Sequence, residues 1–395
     1  MLDTIVLTLD QQQFEVRESE RFTPSAQGFL VPPYYRLGAR GHFACFQNPT
    51  RADLDAGRYL PRLTLSKRKA RAGFAVTLRV EFSAPKLVFG NNFDELRSRD
   101  FEHVLATLHR SLVEMGIRIT EDTLRAARVS AIHYSKNIAF TDFTTCSMVI
   151  SELGRIDLSQ RLDLSRTDYR NEGHVIRYHA NSFEITFYDK LKDLQQAQLS
   201  EKRAVESDYG RQRDLFANPA SFPKELEVLR MEVRLGTRAK IMRVMGRIGA
   251  DLEPTFAALF DASVAKDVLL LFWSEIRKQT VLLGQIQAQR PEDLLAALAA
   301  SAAGTPRAGR LLQQLGYLIL VGSVGFRGAR AALGRHCGAR SWQRYKKELK
   351  SLPLACPTGF SALREVGSAL DAFSPLRMED FQRPSTADSV ATQTG

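Results

Sequence analysis

One tyrosine, three glutamates and a histidine are spaced so that strand alternation would carry them to polar sheet faces. The tyrosine is Tyr188, in the run from Gly173 to Lys190, GHVIRYHANSFEITFYDK. Two alternating stretches flank Asn181-Ser182, which reads as a two-residue hairpin turn. Arg177 and His179 then share a face with Glu184, Thr186, Tyr188 and Lys190, while Ile176, Tyr178, Ile185 and Phe187 point the other way. Glu81 stands in the alternating run Val76 to Ser83. Glu232 stands in Val228 to Leu235, on one side with Arg230 and Arg234, and His133 is in the phase of Val129 and Ala131. Hard oxygen ligands converging from separate strands, with an imidazole, suit Mg²⁺ or Mn²⁺. A tyrosine beside such an ion suits phosphodiester chemistry, because phenolate attack on phosphorus leaves a covalent phosphotyrosine that conserves the bond energy. The competing reading is an ordinary half-solvated sheet, in which Glu81 and Glu232 pair with neighbouring arginines and His133 is a satisfied sheet histidine.

The elements that must position these groups are legible in the pattern. Thr4 to Leu9 reads as an opening strand. A helix is expected from about Phe93 to Met115, with Phe101, Val104, Leu105, Leu108, Leu112 and Met115 on one face and Gly116 as its stop. Arg128 to Tyr134 reads as a strand, followed by a helix from Phe143 to Leu153 capped by Thr141-Asp142. Lys192 to Arg213 reads as helix and then exposed loop. From about Gly236 to Gly246 the pattern turns almost wholly helical, with apolar helices at Ala257 to Leu283, Pro291 to Ala303 and Ala308 to Leu320. The expected fold class is α+β: a mixed α/β domain over 1–240 with a mainly antiparallel central sheet, an all-helical domain over 241–360, and a flexible tail over 361–395. Near the end of the helical part, Arg327 to Arg335, a Cys337-Gly338 turn and Ser341 to Leu349 (SWQRYKKEL) have the form of a helix-turn-helix. Its second helix would present Arg344, Lys346 and Lys347 to DNA; the alternative is a basic helical hairpin packed by Trp342, Tyr345 and Leu349.

Composition narrows the partners. The 395 residues carry 55 Lys+Arg against 44 Asp+Glu, a formal charge of +11, which favours a polyanion. The basic residues are not gathered on one long amphipathic helix, so a membrane surface is not the expected partner. No apolar run is long enough to span a bilayer, and MLDTIVLTLD lacks the basic start of a secretory signal. Four widely spaced cysteines form neither a zinc motif nor a disulfide framework, and a reducing cytoplasm is the expected home. There is no P-loop or GxGxxG: GSVGFRG at Gly322 to Gly328 lacks the lysine and the preceding strand.

Several segments together resemble the replication initiators of filamentous bacteriophages, the gene II/X family, which are similar in turn to rolling-circle plasmid initiators. They are MLDTIVLTL, RVEFSAPKLVFGNN (Arg79 to Asn92), RVSAIHYSKN (Arg128 to Asn137), FEITFYDKLKDL (Phe183 to Leu194), LRMEVRLGTRAK (Leu229 to Lys240) and SWQRYKKEL. The resemblance implies an enzyme of the bacterial host cytoplasm that nicks one strand of double-stranded origin DNA, stays on the 5′ phosphate and rejoins the displaced single strand. It implies Tyr188 of the YDK motif as nucleophile, Lys190 as a phosphate contact, and Glu81 and Glu232 as ligands of Mg²⁺ or Mn²⁺; Arg177 and Arg234 are further candidate DNA contacts. A host helicase and DNA polymerase are implied as partners. Plasmid initiators carry an acid in an RID-like motif where this chain has Arg128-Val129-Ser130; the acid is missing, and His133, three residues on, is the candidate to replace it as third ligand. They also place a tyrosine upstream of YDK, which makes Tyr178 a rival nucleophile. The alternative function is a non-catalytic origin-binding regulator of replication.

Overall fold

In the computed structural model, residues 1–24, 43–50, 52–53, 56–70, 73–140, 144–158, 174–199, 226–302, 307–334, 336–349, 352, 354 and 362–381 are described. The fold is α+β, with a large antiparallel sheet in the N-terminal part and helices in the C-terminal half. The strands are β1 Leu2–Asp10, β2 Glu15–Val16, β3 Thr23–Pro24, β4 Phe43–Gln47, β5 Arg62–Ala70, β6 Gly73–Ser83, β7 Ile117–Arg118, β8 Arg128–Phe140, β9 Val175–Ala180, β10 Phe183–Asp189 and β11 Glu227–Leu235. Across the main sheet the order runs β3-β4-β5-β6-β1-β8-β11-β10.

Two compact units divide the chain, and both are discontinuous: Met1–Phe143 with Asn181–Leu269 and Ala369–Gly395, and Thr144–Ala180 with Leu270–Ser368. The change near residue 240 is therefore no boundary. Helix Arg238–Arg247 buries Ile241, Val244 and Met245, and Phe256 meets Phe82 at 5.8 Å and Phe101 at 5.1 Å between ring centroids. These apolar groups complete the first unit's core, which is why that unit runs on to Leu269.

Sheet register explains which groups share a face, because residues directly opposite one another in an antiparallel pair lie on the same side. Ile5, Leu7 and Leu9 stand opposite Phe82, Val80 and Leu78, and Val233 stands between Tyr134 and Ile185. All are buried. The other face carries Glu81, His133, Ser135, Asn137, Arg230, Glu232, Arg234, Glu184, Thr186 and Tyr188, so the period-2 reading of these strands is correct.

Three local expectations are corrected. The helix expected from Phe93 begins at Phe101, because the Asn91 carboxamide oxygen accepts from the backbone N–H of Phe93 and Asp94 (both 2.9 Å) and holds a turn instead. Helix Cys146–Gly154 is capped by Thr145, whose side chain accepts from Met148 N–H; Thr141-Asp142 lies outside the described residues. The supposed flexible tail holds helix Ala362–Ala372 and a 3-10 turn, Met378–Phe381, because Leu363, Val366, Leu370 and Met378 are buried. Residues 382–395 and most of Lys192 to Arg213 lie outside the described residues.

The second unit's core joins Leu282, Ile286, Leu298, Leu318, Phe326 and Trp342. Helix Ala308–Leu333 breaks at Gly325, with φ 78° and ψ 170°. A Cβ there would come within 2.6 Å of Arg155, so only glycine suits both the backbone angle and the space. After the break come a turn and helix Ala339–Leu349, whose Trp342, Tyr345 and Leu349 pack into this core as the alternative of a packed basic hairpin expects. Among the described residues no helix is long and apolar enough to cross a membrane, and Cys45, Cys146 and Cys337 are in no disulfide.

Candidate active site

Tyr188 lies near the end of β10, directly opposite Arg230 of β11. The Lys190 ammonium sits 5.8 Å from the centre of the Tyr188 ring. Arg230 is buried; its NH2 donates to Ser135 Oγ (2.8 Å) and lies 3.4 Å from Asp3 Oδ1, and its NH1 donates to the Asn92 carbonyl (2.5 Å). The Lys190 Nζ donates to Asn92 Oδ1 at 2.9 Å and lies 3.9 Å from Asp193. Asp3 also accepts from Ser83 Oγ. The result is a tyrosine set among two buried cations and their acidic partners, on the polar face of the sheet.

Burial fixes the protonation pattern. It pushes the Tyr188 phenol well above its usual range, against the pull of Arg230, and brings the Lys190 ammonium down to about 8, with the Arg230 charge adding to the fall. Tyr188 is thus a neutral phenol at pH 7. Lys190 has an appreciable share of free amine just above it. Arg230 Nε is buried and has no hydrogen-bond partner among the described residues.

The expected metal ligands do not come together. Glu232 faces Thr186 on β10 and Ser135 on β8, one row from Tyr188, and His133 Nδ1 lies 3.3 Å from its Oε1. Glu81 is elsewhere: β1 and β8 separate β6 from β11, which at about 4.8 Å per strand puts Glu81 at least about 14 Å from Glu232, and the register offsets them further along the strands. It pairs with Arg79 at 2.8 Å instead. Both Glu232 oxygens are also taken by Arg234, at 2.9 Å from Nε and 3.2 Å from NH2. Burial alone would raise the Glu232 carboxyl, yet Arg234, His133 and Arg230 hold it well below the usual carboxylate range. A carboxylate held in this way by a guanidinium is a structural ion pair. Glu81, Glu232 and His133 therefore do not fit a Mg²⁺ or Mn²⁺ site.

The other site expectations divide. Tyr178 is ruled out as a nucleophile by its surroundings, since it is 1% exposed and its hydroxyl donates to the Leu153 carbonyl at 2.5 Å. Lys190 cannot touch a phosphate in this conformation, because it is fully buried. Arg234 is engaged with Glu232 and Glu184. Arg177 is half-buried on β9 of the second unit. Arg344 and Lys347 are exposed on helix Ala339–Leu349, whereas Lys346 points inward: its Nζ donates to the Asp157 carbonyl (2.9 Å) and to Asp157 Oδ2 (3.2 Å). A helix buries one face, and here position 346 shares that face with Trp342 and Leu349.

Asp3, Asn92 and Ser135 escaped sequence reasoning. Ser135 was within reach, because it alternates in phase with His133. Asp3 was not, since a register irregularity between Leu2 and Ile5 interrupts the simple alternation there.

Replacing Glu232 by Gln removes the charge that Arg234 and His133 surround. At neutral pH the loss of stability should be about 2–3 kcal/mol, below the figure for a fully buried pair, because Arg234 is 35% exposed and keeps Glu184. A depressed carboxyl stabilises the fold above its unfolded pKa and loses that contribution as pH falls toward its folded value. The wild type should therefore approach the variant in urea titrations below about pH 4.5. An unchanged gap down to pH 3 would show that the Glu232 charge does not act this way.

Comparison of the chain with protein-family models, with curated proteins and with solved structures finds no match.

Proposed function

We propose that this protein nicks one strand of duplex origin DNA through Tyr188, in the manner of a rolling-circle replication initiator in a bacterial cytoplasm. The observation that carries this reading is Tyr188 facing Arg230 with Lys190 over its ring. In the proposed step the Tyr188 oxygen attacks phosphorus, the P–O3′ bond breaks, and a 5′-phosphotyrosine and a 3′-hydroxyl result. Arg230, with its free Nε, is suited to balance charge building on the phosphoryl oxygens. Lys190, brought down to about 8, is suited to take the phenol proton. Attack by a 3′-hydroxyl on the phosphotyrosine reverses the step and rejoins the strand. The host helicase and polymerase belong to the proposal as partners that would act on the nicked origin.

A second reading, a non-catalytic origin-binding regulator, is favoured by one observation: Glu81 lies far from Glu232 and Tyr188. Incubating the purified protein with its supercoiled replicon, with and without Mg²⁺ or Mn²⁺, separates the two. Relaxed circles carrying a protein-linked 5′ end support the nickase. Tight origin binding with no relaxation under any metal condition supports the regulator.

Either reading uses the exposed cations of helix Ala339–Leu349. Arg344→Ala should weaken origin binding by about 1–3 kcal/mol if it reads a base edge, with little effect on random DNA. Lys347→Ala should weaken both and reduce the salt slope by about one counterion. Affinities measured at several salt concentrations distinguish these outcomes, and wild-type binding in both variants would remove this helix from the interface.

A further inference from the structure

The two cations beside Tyr188 are both turned toward one residue. Asn92 accepts Lys190 Nζ on its side chain and Arg230 NH1 on its carbonyl, and both cations are sealed from solvent. Asn92 belongs to the turn that Asn91 organises, and the same turn is gripped from its other side by the segment Leu376–Phe381. Glu95 N–H donates to the Leu376 carbonyl (3.0 Å) and Leu376 N–H to Glu95 Oε2 (2.9 Å), while Met378 N–H donates to Asp94 Oδ1 (2.8 Å). Met378 also closes an apolar cluster with Phe93, Leu194, Leu226 and Val228. Arg377 adds a contact to Asp100 at 3.5 Å and lies over the Phe89 ring at 4.5 Å.

We propose that Leu376–Phe381 is a latch: it holds the Asn91–Glu95 turn against Arg230 and Lys190, and its release opens the Tyr188 site to a phosphodiester strand. This rests on the reading of Tyr188 as the reacting group. In the latched state Arg230 NH1 and Lys190 Nζ each donate to Asn92 and both side chains are buried, so an incoming phosphate reaches neither. The segment is suited to come away as a piece, because its polar grip on the turn is made of three hydrogen bonds to two adjacent residues, Asp94 and Glu95. Its entry supports the same view. The chain reaches the segment through Phe373, which at φ 50° adopts a left-handed backbone that a residue with a side chain rarely holds. A cavity of about 430 Å³, lined in part by Glu95, Lys136 and Phe373 to Pro375, leaves room there for rearrangement.

The test reads access to Lys190 without using nicking. Wild type, Met378→Pro, which removes the N–H that Asp94 accepts, and Asp94→Ala, which removes the acceptor, are treated with a small amine-acylating reagent. Peptide mass spectrometry then gives the rate at Lys190, and circular dichroism identifies which variants remain folded. The latch requires Lys190 to acylate at least about tenfold faster in a folded variant than in the wild type. Equal protection of Lys190 in folded variants overturns it, and so does loss of the whole fold in both, since the segment would then be part of the core. Tyr188→Phe should leave the wild-type protection of Lys190 unchanged. Failure of nicking and failure of the latch are thus read from different experiments. If the nickase reading also holds, the opened variants relax supercoiled DNA faster than wild type.

Discussion

Tyr188→Phe should abolish strand cleavage, by about four orders of magnitude or more, while origin affinity stays near the wild-type value. The substitution deletes one oxygen and keeps the ring, its packing on β10 and the cation above it. Because the phenol is neutral at pH 7, no folded-state charge is lost with it, and stability should change by no more than about 1 kcal/mol. Relaxation of supercoiled DNA and the yield of protein-linked 5′ ends measure the loss. Tyr178→Phe supplies the contrast. It removes a buried hydrogen bond to the Leu153 carbonyl, so it should cost about 1 kcal/mol in stability and leave cleavage intact. Cleavage retained by the Tyr188 variant would end the case for this residue as nucleophile.

The second large effect belongs to Asp157. Its carboxylate is wholly buried and takes the Trp342 indole N–H at 2.8 Å, Lys346 Nζ at 3.2 Å and Arg330 NH1 at 3.2 Å, while its own N–H donates to the Gln279 side chain. The acid thereby ties the stretch after Gly325 and helix Ala339–Leu349 to the long helix Ala262–Gln287. Asp157→Asn keeps the shape but removes the charge that faces the buried Lys346 ammonium, and should destabilise the second unit by about 3–5 kcal/mol. The chain has two tryptophans, Trp273 and Trp342, and both lie in that unit. Urea unfolding followed by tryptophan fluorescence therefore reports on it directly. Combining Asp157→Asn with Lys346→Met should recover much of the loss, since the pair is removed together. A single variant within about 0.5 kcal/mol of wild type would show that the buried pair is not what holds these helices. Lys346→Ala, by the same logic, should weaken DNA binding through lost stability and leave the salt slope of the folded protein unchanged.

What the amino-acid sequence alone determined was local. The polar faces of β8, β10 and β11, the place of Tyr188 on one of them and the α+β class all follow from the two-residue period of a strand and the longer period of a helix. Those periods are set by backbone geometry, and are visible in any window of a few residues. What only the tertiary structure decided was which periods meet. Glu81 and Glu232 have the same local signature, yet the insertion of β1 and β8 between their strands keeps them apart, and strand order depends on the packing of the whole chain. Arg344, Lys346 and Lys347 read alike along one basic helix. Asp157, distant in sequence, draws Lys346 inside and leaves the other two in solvent. Asn92 and the segment Leu376–Phe381 carried no signal of their own, because their part comes from hydrogen bonds between stretches far apart in the chain, which no local pattern records.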